Sequence, residues 1–230
     1  MPRTNRIAPG GWVFHVLNRG NARGEIFEDD GDYRAFEALL RETCARFRMR
    51  LLAYCLLPNH WHQVVWPRED GDLGRYVQRL TTTHARRWHL HRHSVGYGHL
   101  YQGLYKSFPV QQDDHYLTVC RYVERNALRA KLVKRAEDWA WSSLAVWRLT
   151  AAEVESQQRP VLADWPVDRP RQWLRLVNEA QSAGEEEALR RSVCRGRPFG
   201  NSTWEKQTAT RLGLESTLRD RGRPRKKTRG

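Results

Sequence analysis

The chain has 230 residues, of which 40% are hydrophobic, enough for one sizeable core and an appendage. Its 40 lysines and arginines outnumber 26 acidic residues, and the net charge of +14 predicts a polyanionic partner. No apolar run approaches the roughly 20 residues of a membrane span, the first ten residues lack a signal-peptide core, and four scattered cysteines without a C-x-x-C pair favour reduced thiols. We therefore expect a cytosolic protein that is not associated with a membrane.

The charge is unevenly distributed. Residues 1–150 carry 23 basic and 15 acidic side chains, residues 151–220 carry 11 of each, and residues 221–230 carry six basic and no acidic ones. This pattern predicts a basic folded domain over 1–150, a helical extension over 151–220 and a disordered basic tail over 221–230.

Seven elements are predicted in the first domain. Hydrophobic periodicity and turn signals predict strands at 12–18, 49–57, 60–66 and 104–111, with helices beginning near residues 29, 73 and 113, the last of which runs to about residue 133. The order strand, helix, strand, strand, helix, strand, helix is typical of an α+β fold with a ferredoxin-like antiparallel sheet and helices packed on its faces.

Two histidines flank a tryptophan in the third strand. Because side chains alternate across a strand, His60 and His62 share one face while Trp61 points to the other. Two imidazoles on one face can hold a divalent metal. The alternative is a strand edge with two half-exposed histidines. His15 in the first strand is expected at the edge of the core, with a place near the metal left open.

The third helix carries a second group of polar residues. At 100° per residue, Tyr122, Asn126 and Arg129 fall within about 60° of one another. Tyr116 is rotated by about 120° from Tyr122, toward the side of Cys120, which predicts a core position for it. The alternative for Tyr122 is a surface tyrosine that packs over Asn126.

Together the two groups suggest phosphodiester chemistry. The imidazoles of His60 and His62 and the amide oxygen of Asn126 make an incomplete site for a hard divalent ion, with positions left open for phosphate oxygens. A tyrosine such as Tyr122 can attack the phosphorus and form a covalent phosphotyrosine. One phosphodiester replaces another, so this chemistry is strand transfer and needs no nucleotide cofactor.

Six segments resemble the single-tyrosine HUH transposases, and most closely the REP-associated tyrosine transposases of bacteria. They are FHVLNRGN at 14–21, LPNHWH at 57–62, QGLYKS at 102–107, YVERNALRA at 122–130, WSS at 141–143 and GRPFG at 196–200. Two positions depart from the family pattern: Ala127 replaces a common proline, and Leu104 replaces a frequent arginine, which puts one DNA contact in doubt.

The resemblance implies a function for these segments. His60, His62 and Asn126 would be metal ligands for Mg²⁺ or Mn²⁺, and Tyr122 the nucleophile that forms a 5′-phosphotyrosine with single-stranded or hairpin DNA of palindromic repeats. The protein would act as a monomer or homodimer. The DNA-contacting residues expected are Arg19, Lys106, Arg125, Arg129, Arg197, Arg221, Arg223, Arg225, Lys226 and Lys227.

The extension and tail are less informative. Prolines in residues 151–170 predict either a linker or an irregular wrap there. Helices are predicted near 171–181, 184–194 and 203–212, the last with a capping box formed by Ser202 and Glu205 and a stop at Gly213. The last two could form a helix-turn-helix. Residues 221–224 (RGRP) match an AT-hook core, with a generic basic tail as the alternative.

Two other functions remain open at this stage. A retired transposase would bind structured DNA without cutting it, and a water-using nuclease would cut without forming a protein–DNA adduct.

Overall fold

The structure, a computed structural model, describes residues 7–96 and 98–219. Its four strands are β1 (Val13–Arg19), β2 (Arg50–Leu57), β3 (His60–Trp66) and β4 (Lys106–Val110). The first helices are α1 (Asp30–Arg46), α2 (Asp72–His91), α3 (Asp114–Glu124), α4 (Asn126–Arg129) and α5 (Ser143–Val146). The later ones are α6 (Ala151–Ser156), α7 (Trp173–Asn178), α8 (Ala183–Arg195), α9 (Ser202–Leu212) and α10 (Glu215–Leu218), and short 3₁₀ turns cover Asn21–Arg23 and Ala136–Asp138.

The strands form one antiparallel sheet in the order β2-β3-β1-β4. This order and the helix positions confirm the predicted ferredoxin-like α+β fold. The register pairs Leu17 with His62 and Arg19 with His60, so the residues around the two histidines come from the centre of the sheet.

The hairpin between β2 and β3 explains how the histidines reach that position. β2 ends at Leu57 and β3 begins at His60, with Pro58 and Asn59 forming the predicted turn. Backbone N–H groups of Ile26 and Phe27 donate to the carbonyl oxygen of Pro58 at 2.7 and 3.0 Å, which fixes the hairpin against the segment that leads into α1.

Two hydrophobic cores lie on opposite faces of the sheet. The first packs α1 and α2 on one face and contains Trp61, which is fully buried. The second packs α3 on the other face and contains Tyr122. The alternation of β3 therefore divides its residues between two separate environments.

Later segments cover both edges of the sheet. The β2 edge donates from Leu56 N–H to the carbonyl of Trp141 and accepts at Leu51 O from Ala163 N–H, at 2.9 and 2.8 Å. At the β4 edge, Phe199 N–H donates to the carbonyl of Pro109 at 2.9 Å. Exposed strand edges invite pairing with other chains, and these contacts satisfy their backbone groups. Residues 151–170 thus wrap around the sheet, one of the two arrangements expected there.

Several helices differ from the sequence expectations. The wrap includes the unpredicted helix α6, begun by a capping box of Thr150 and Glu153. The helix expected to reach residue 133 is interrupted at Arg125 and ends at Arg129.

The predicted capping box of α9 is wrong. Asn201, not Ser202, caps this helix by accepting from Trp204 N–H at 3.0 Å, and Glu205 pairs with Arg197 instead. An asparagine is as good an N-cap as a serine, so the first of two adjacent candidates can take the position. Gly213 ends the helix with a positive φ of 64°, as predicted.

Among the described residues, no helix is long and apolar enough to cross a membrane.

Candidate active site

Strand β3 places His60 and His62 on the face of the sheet that α3 covers. His62 is 3% exposed and its ring centroid lies 5.1 Å from that of His60. Trp61 points into the opposite core, where its Nε1 donates to the hydroxyl of Tyr101 at 3.1 Å. The predicted arrangement of the three side chains is confirmed.

Each histidine has its Nδ1 atom engaged by a neighbouring side chain. Nδ1 of His62 lies 2.9 Å from Nε2 of the fully buried His15, and Nδ1 of His60 lies 2.6 Å from Oδ1 of Asn59. When His62 donates from Nδ1 to His15, its Nε2 keeps a lone pair for a ligand; the same holds for His60 and Asn59. His15 is itself fixed by stacking on Phe108 at 4.7 Å.

These imidazoles are neutral at physiological pH. Burial lowers the pKa of His60 to about 4, and the charges of Arg19 and Arg129 act in the same direction. Burial lowers the pKa of His62 well below its ordinary value, and that of His15 to about 3. Neutral imidazole is the form that binds metals, so the environment prepares both rings for coordination.

Helix α3 brings Tyr122 to the histidines. The Tyr122 ring centroid is 5.7 Å from that of His62, at a nearly perpendicular interplanar angle of 81°. Tyr122 retains 8% exposure, whereas Tyr116 is fully buried and packs against Trp165. The core position expected for Tyr116 is confirmed.

Arg129 hydrogen-bonds both Tyr122, the candidate nucleophile, and Asn126, the candidate amide ligand. Its Nη2 donates to the Tyr122 hydroxyl at 3.1 Å and to Oδ1 of Asn126 at 2.8 Å, and its guanidinium carbon lies 4.3 Å from the Tyr122 ring centroid. The predicted helix stripe of these three residues is confirmed. It faces the sheet and is not a free surface, since Asn126 is only 2% exposed.

A buried carboxylate fastens the same helix to later parts of the chain. Glu124 is fully buried and accepts from Ser143 Oγ and from Trp173 Nε1, both at 2.6 Å. Burial raises the pKa of Glu124, although both hydrogen bonds act against this effect. Glu124, which lies on the side of α3 opposite Tyr122, is thereby held in a fixed place.

The donor set suits a divalent ion that keeps open coordination positions. His60 and His62 offer imidazole nitrogens, and the Asn126 oxygen has a second lone pair beside the one used by Arg129. In residues 7–96 and 98–219, no group of three or more His, Cys, Asp or Glu is arranged to hold a metal. A site here therefore depends on the amide of Asn126, whose Nδ2 is buried without a partner among the described residues.

A comparison with protein families identifies the family of the chain. Residues 11–126 match the family described as Transposase IS200 like. The chain belongs to the IS200-like transposase family. A comparison with curated proteins gives no significant match.

A solved structure shares the fold of this transposase. A REP-associated tyrosine transposase bound to a REP hairpin has a TM-score of 0.52 and 19% identity, over 64% of this chain and 87% of that one. A Deinococcus radiodurans R1 crystal structure at 1.90 Å, also described as a transposase, has a TM-score of 0.38 and 17% identity, over 54% of this chain and 96% of that one.

The residues predicted to contact DNA differ in their surroundings. Lys106 is exposed on β4, and Arg19 lies at the histidine end of β1. Arg125 donates instead to carbonyl oxygens of Val177 and Asn178 at 3.1 and 2.7 Å, and Arg197 pairs with Glu205 at 2.6 Å. These protein contacts leave Arg125 and Arg197 fewer donors for phosphate. The remaining predictions, Arg221, Arg223, Arg225, Lys226 and Lys227, lie outside the described residues.

Sequence reasoning missed the part played by His15. It was expected at the edge of the core, with a place near the metal left open. Its signal was its position: β1 neighbours β3, and His15 shares a face with Leu17, which pairs with His62. Strand order had to be known before that signal could be used.

Proposed function

We propose that this transposase cleaves and rejoins single-stranded or hairpin DNA through a covalent phosphotyrosine at Tyr122. The observation that carries the proposal is the placement of Tyr122, whose ring lies beside the His62 ring and whose hydroxyl accepts a hydrogen bond from Arg129. A nucleophile, a cation and two neutral imidazoles thus meet at one end of the sheet.

Each residue has a role in the proposed step. Oη of Tyr122 attacks the phosphorus in line, the bond from phosphorus to the 3′ oxygen breaks, and the DNA is left with a 3′-hydroxyl. The phenol proton passes to solvent and the departing oxygen takes one up. Arg129 holds Oη in position and keeps a positive charge beside the phosphate. Attack by a 3′-hydroxyl on the phosphotyrosine reverses the step and rejoins a strand.

Mg²⁺ or Mn²⁺ would be held by His60, His62 and Asn126. Such an ion supplies charge neutralisation and orientation of the phosphate oxygens. His15 and Asn59 fix the rings of His62 and His60, so the ligand nitrogens keep one direction before the ion and the DNA arrive.

Palindromic hairpin DNA is the proposed substrate. The family assignment, the net charge of +14 and the fold shared with a transposase bound to a REP hairpin support this proposal. Residues 1–150 would form the catalytic domain, 151–220 an extension that contacts DNA, and 221–230 a basic tail. We propose a monomer or homodimer that acts in the cytoplasm at the nucleoid.

Mapping the covalent adduct tests the proposal. A labelled hairpin incubated with the protein and Mg²⁺ or Mn²⁺ should give a denaturation-resistant adduct, and mass spectrometry should place the nucleotide on Tyr122. Excess EDTA should remove both adduct and cut. DNA binding without cleavage would favour the retired transposase, cleavage without adduct a water-using nuclease, and either result would overturn the proposal.

A further inference from the structure

A cavity of about 610 Å³ lies at the opposite end of β2 from the histidines. Arginines dominate its polar lining: Arg41, Arg48, Arg50 and Arg68. Cysteine, methionine and aliphatic residues from α1, the turn after it, β2 and the segment 161–163 complete the wall, and no aspartate or glutamate of the described residues lines it.

Only one of these arginines is neutralised by a carboxylate of the described chain. Arg41 pairs with Glu155. Within residues 7–96 and 98–219, Arg48, Arg50 and Arg68 form no ion pair, in contrast to exposed arginines elsewhere such as Arg87, which pairs with Glu42 at 3.4 Å. Three like charges are therefore brought together without compensation, which costs free energy unless an anion binds.

Arg50 is held in a fixed position at the floor of this group. Its guanidinium carbon lies 3.5 Å from the centroid of the Trp66 ring, and it donates to the carbonyls of Trp66 and Pro67 at 3.2 and 3.4 Å. Burial lowers the pKa of Arg50, and the charge of Arg68 acts in the same direction. A guanidinium fixed in this way loses little freedom when a phosphate binds.

We propose that this cavity binds backbone phosphates of the same DNA that enters the active site, an inference that rests on the proposed function. Arg50 lies opposite Trp66 and Leu57 lies opposite His60, so the two sites are separated by at least the length of β2. Seven strand residues cover roughly 23 Å. One strand of B-form DNA places a phosphate every 3.4 Å, so at least roughly seven base pairs are needed to bridge the sites.

The double variant Arg48→Asn/Arg68→Gln tests this proposal. Asparagine suits position 48, where φ is +47°. The matched control is Arg34→Gln/Arg87→Gln, which removes the same charge from arginines that have carboxylate neighbours. Both are made with Tyr122→Phe in the full chain, and binding is measured against salt for a long hairpin and for one shortened by ten base pairs.

We expect the double variant to reduce the log–log salt slope by roughly 1.8, about 0.9 per phosphate contact, with the long hairpin only. The salt slope of the control variant should fall much less. For the double variant, the long and the shortened hairpin should give similar salt slopes. Equal slopes in variant and control would overturn the proposal. A second result would also overturn it: inorganic phosphate or ATP raises the melting temperature of the wild type but not of the double variant, while the salt slope for DNA is unchanged by the double variant.

Failure here is distinguishable from failure of the proposed function. An absent adduct on Tyr122 concerns the chemistry and is measured with the wild-type chain. An unchanged salt slope concerns the arginine cavity alone and is measured without cleavage.

Discussion

Two buried histidines on opposite faces of the sheet have very different surroundings. On the α1/α2 face, Nδ1 of His84 lies 2.6 Å from the Tyr101 hydroxyl, and the ring packs against Phe27 and Phe36. On the α3 face, His62 contacts two further imidazoles and the Tyr122 ring. Burial lowers the pKa of both His62 and His84, so burial alone does not mark a functional histidine. Its neighbours do.

The largest effect should come from the nucleophile on the α3 face. Tyr122→Phe removes the hydroxyl that Arg129 contacts and that is proposed to attack phosphorus, so adduct and cleavage should disappear while folding and DNA binding persist. Gel detection of the adduct after incubation with a hairpin measures this. Tyr116→Phe is the control and should still form the adduct, because Tyr116 is closed in the core. A nucleotide mapped to Tyr116, Tyr101 or Tyr105 would refute the assignment.

His60 and His62 should be as important for cleavage as Tyr122, and much less important for DNA binding than for cleavage. His60→Ala and His62→Ala should each abolish cleavage, while affinity for DNA stays within a few-fold because most of it comes from phosphate neutralisation elsewhere. Cleavage and fluorescence binding are measured side by side. His84→Gln on the opposite face should reduce stability and leave the metal requirement as in the wild type. Undiminished cleavage by either alanine variant would contradict the comparison.

Substitutions in the core on the α1/α2 face should change the stability of the fold and not DNA cleavage. Trp61 is fully buried, so Trp61→Ala should lower the free energy of unfolding by about 3–5 kcal/mol. Trp61→Phe keeps an aromatic ring and loses the hydrogen bond to Tyr101, so it should cost about 1 kcal/mol. Urea denaturation measures both. Loss of cleavage by folded Trp61→Phe would show that the two faces are coupled.

His15 offers a finer test within the α3 face. His15→Phe keeps a ring on Phe108 and removes the nitrogen that meets Nδ1 of His62. Loss of such an orienting partner should weaken metal affinity by about 10–100-fold. Titration calorimetry with Mn²⁺ measures this without any turnover. Unchanged affinity would mean that packing alone orients His62.

The sequence predicted the fold well because its local signals agree with one another. The hairpin at Pro58 and Asn59, the alternation around Trp61 and the acidic start of α1 each select the observed structure. Helix boundaries were less accurate: α9 had two adjacent candidates for its cap, and its start depends on which of Asn201 and Ser202 packs in the right place.

The candidate site was predictable only where residues lie close in the chain. The spacing of His60 and His62 and the helix stripe of Tyr122, Asn126 and Arg129 follow from local geometry. The bond between His15 and His62 spans 47 residues, and the one between Trp173 and Glu124 spans 49. Such contacts depend on strand order and on how the extension wraps, which periodicity does not specify.

The tail should give the smallest effect on the chemistry of either face. Residues 221–230 lie outside the described part of the chain, and six of the fourteen net charges are found there. Deleting them should weaken DNA binding and flatten its salt dependence, because each lost phosphate contact removes roughly 0.7–0.9 from the log–log slope. Cleavage at saturating DNA should survive, since the contacts of His60, His62 and Tyr122 lie within the described part of the chain. An unchanged slope would show that the tail does not touch DNA, and a lost cut at saturation would show that it reaches the site.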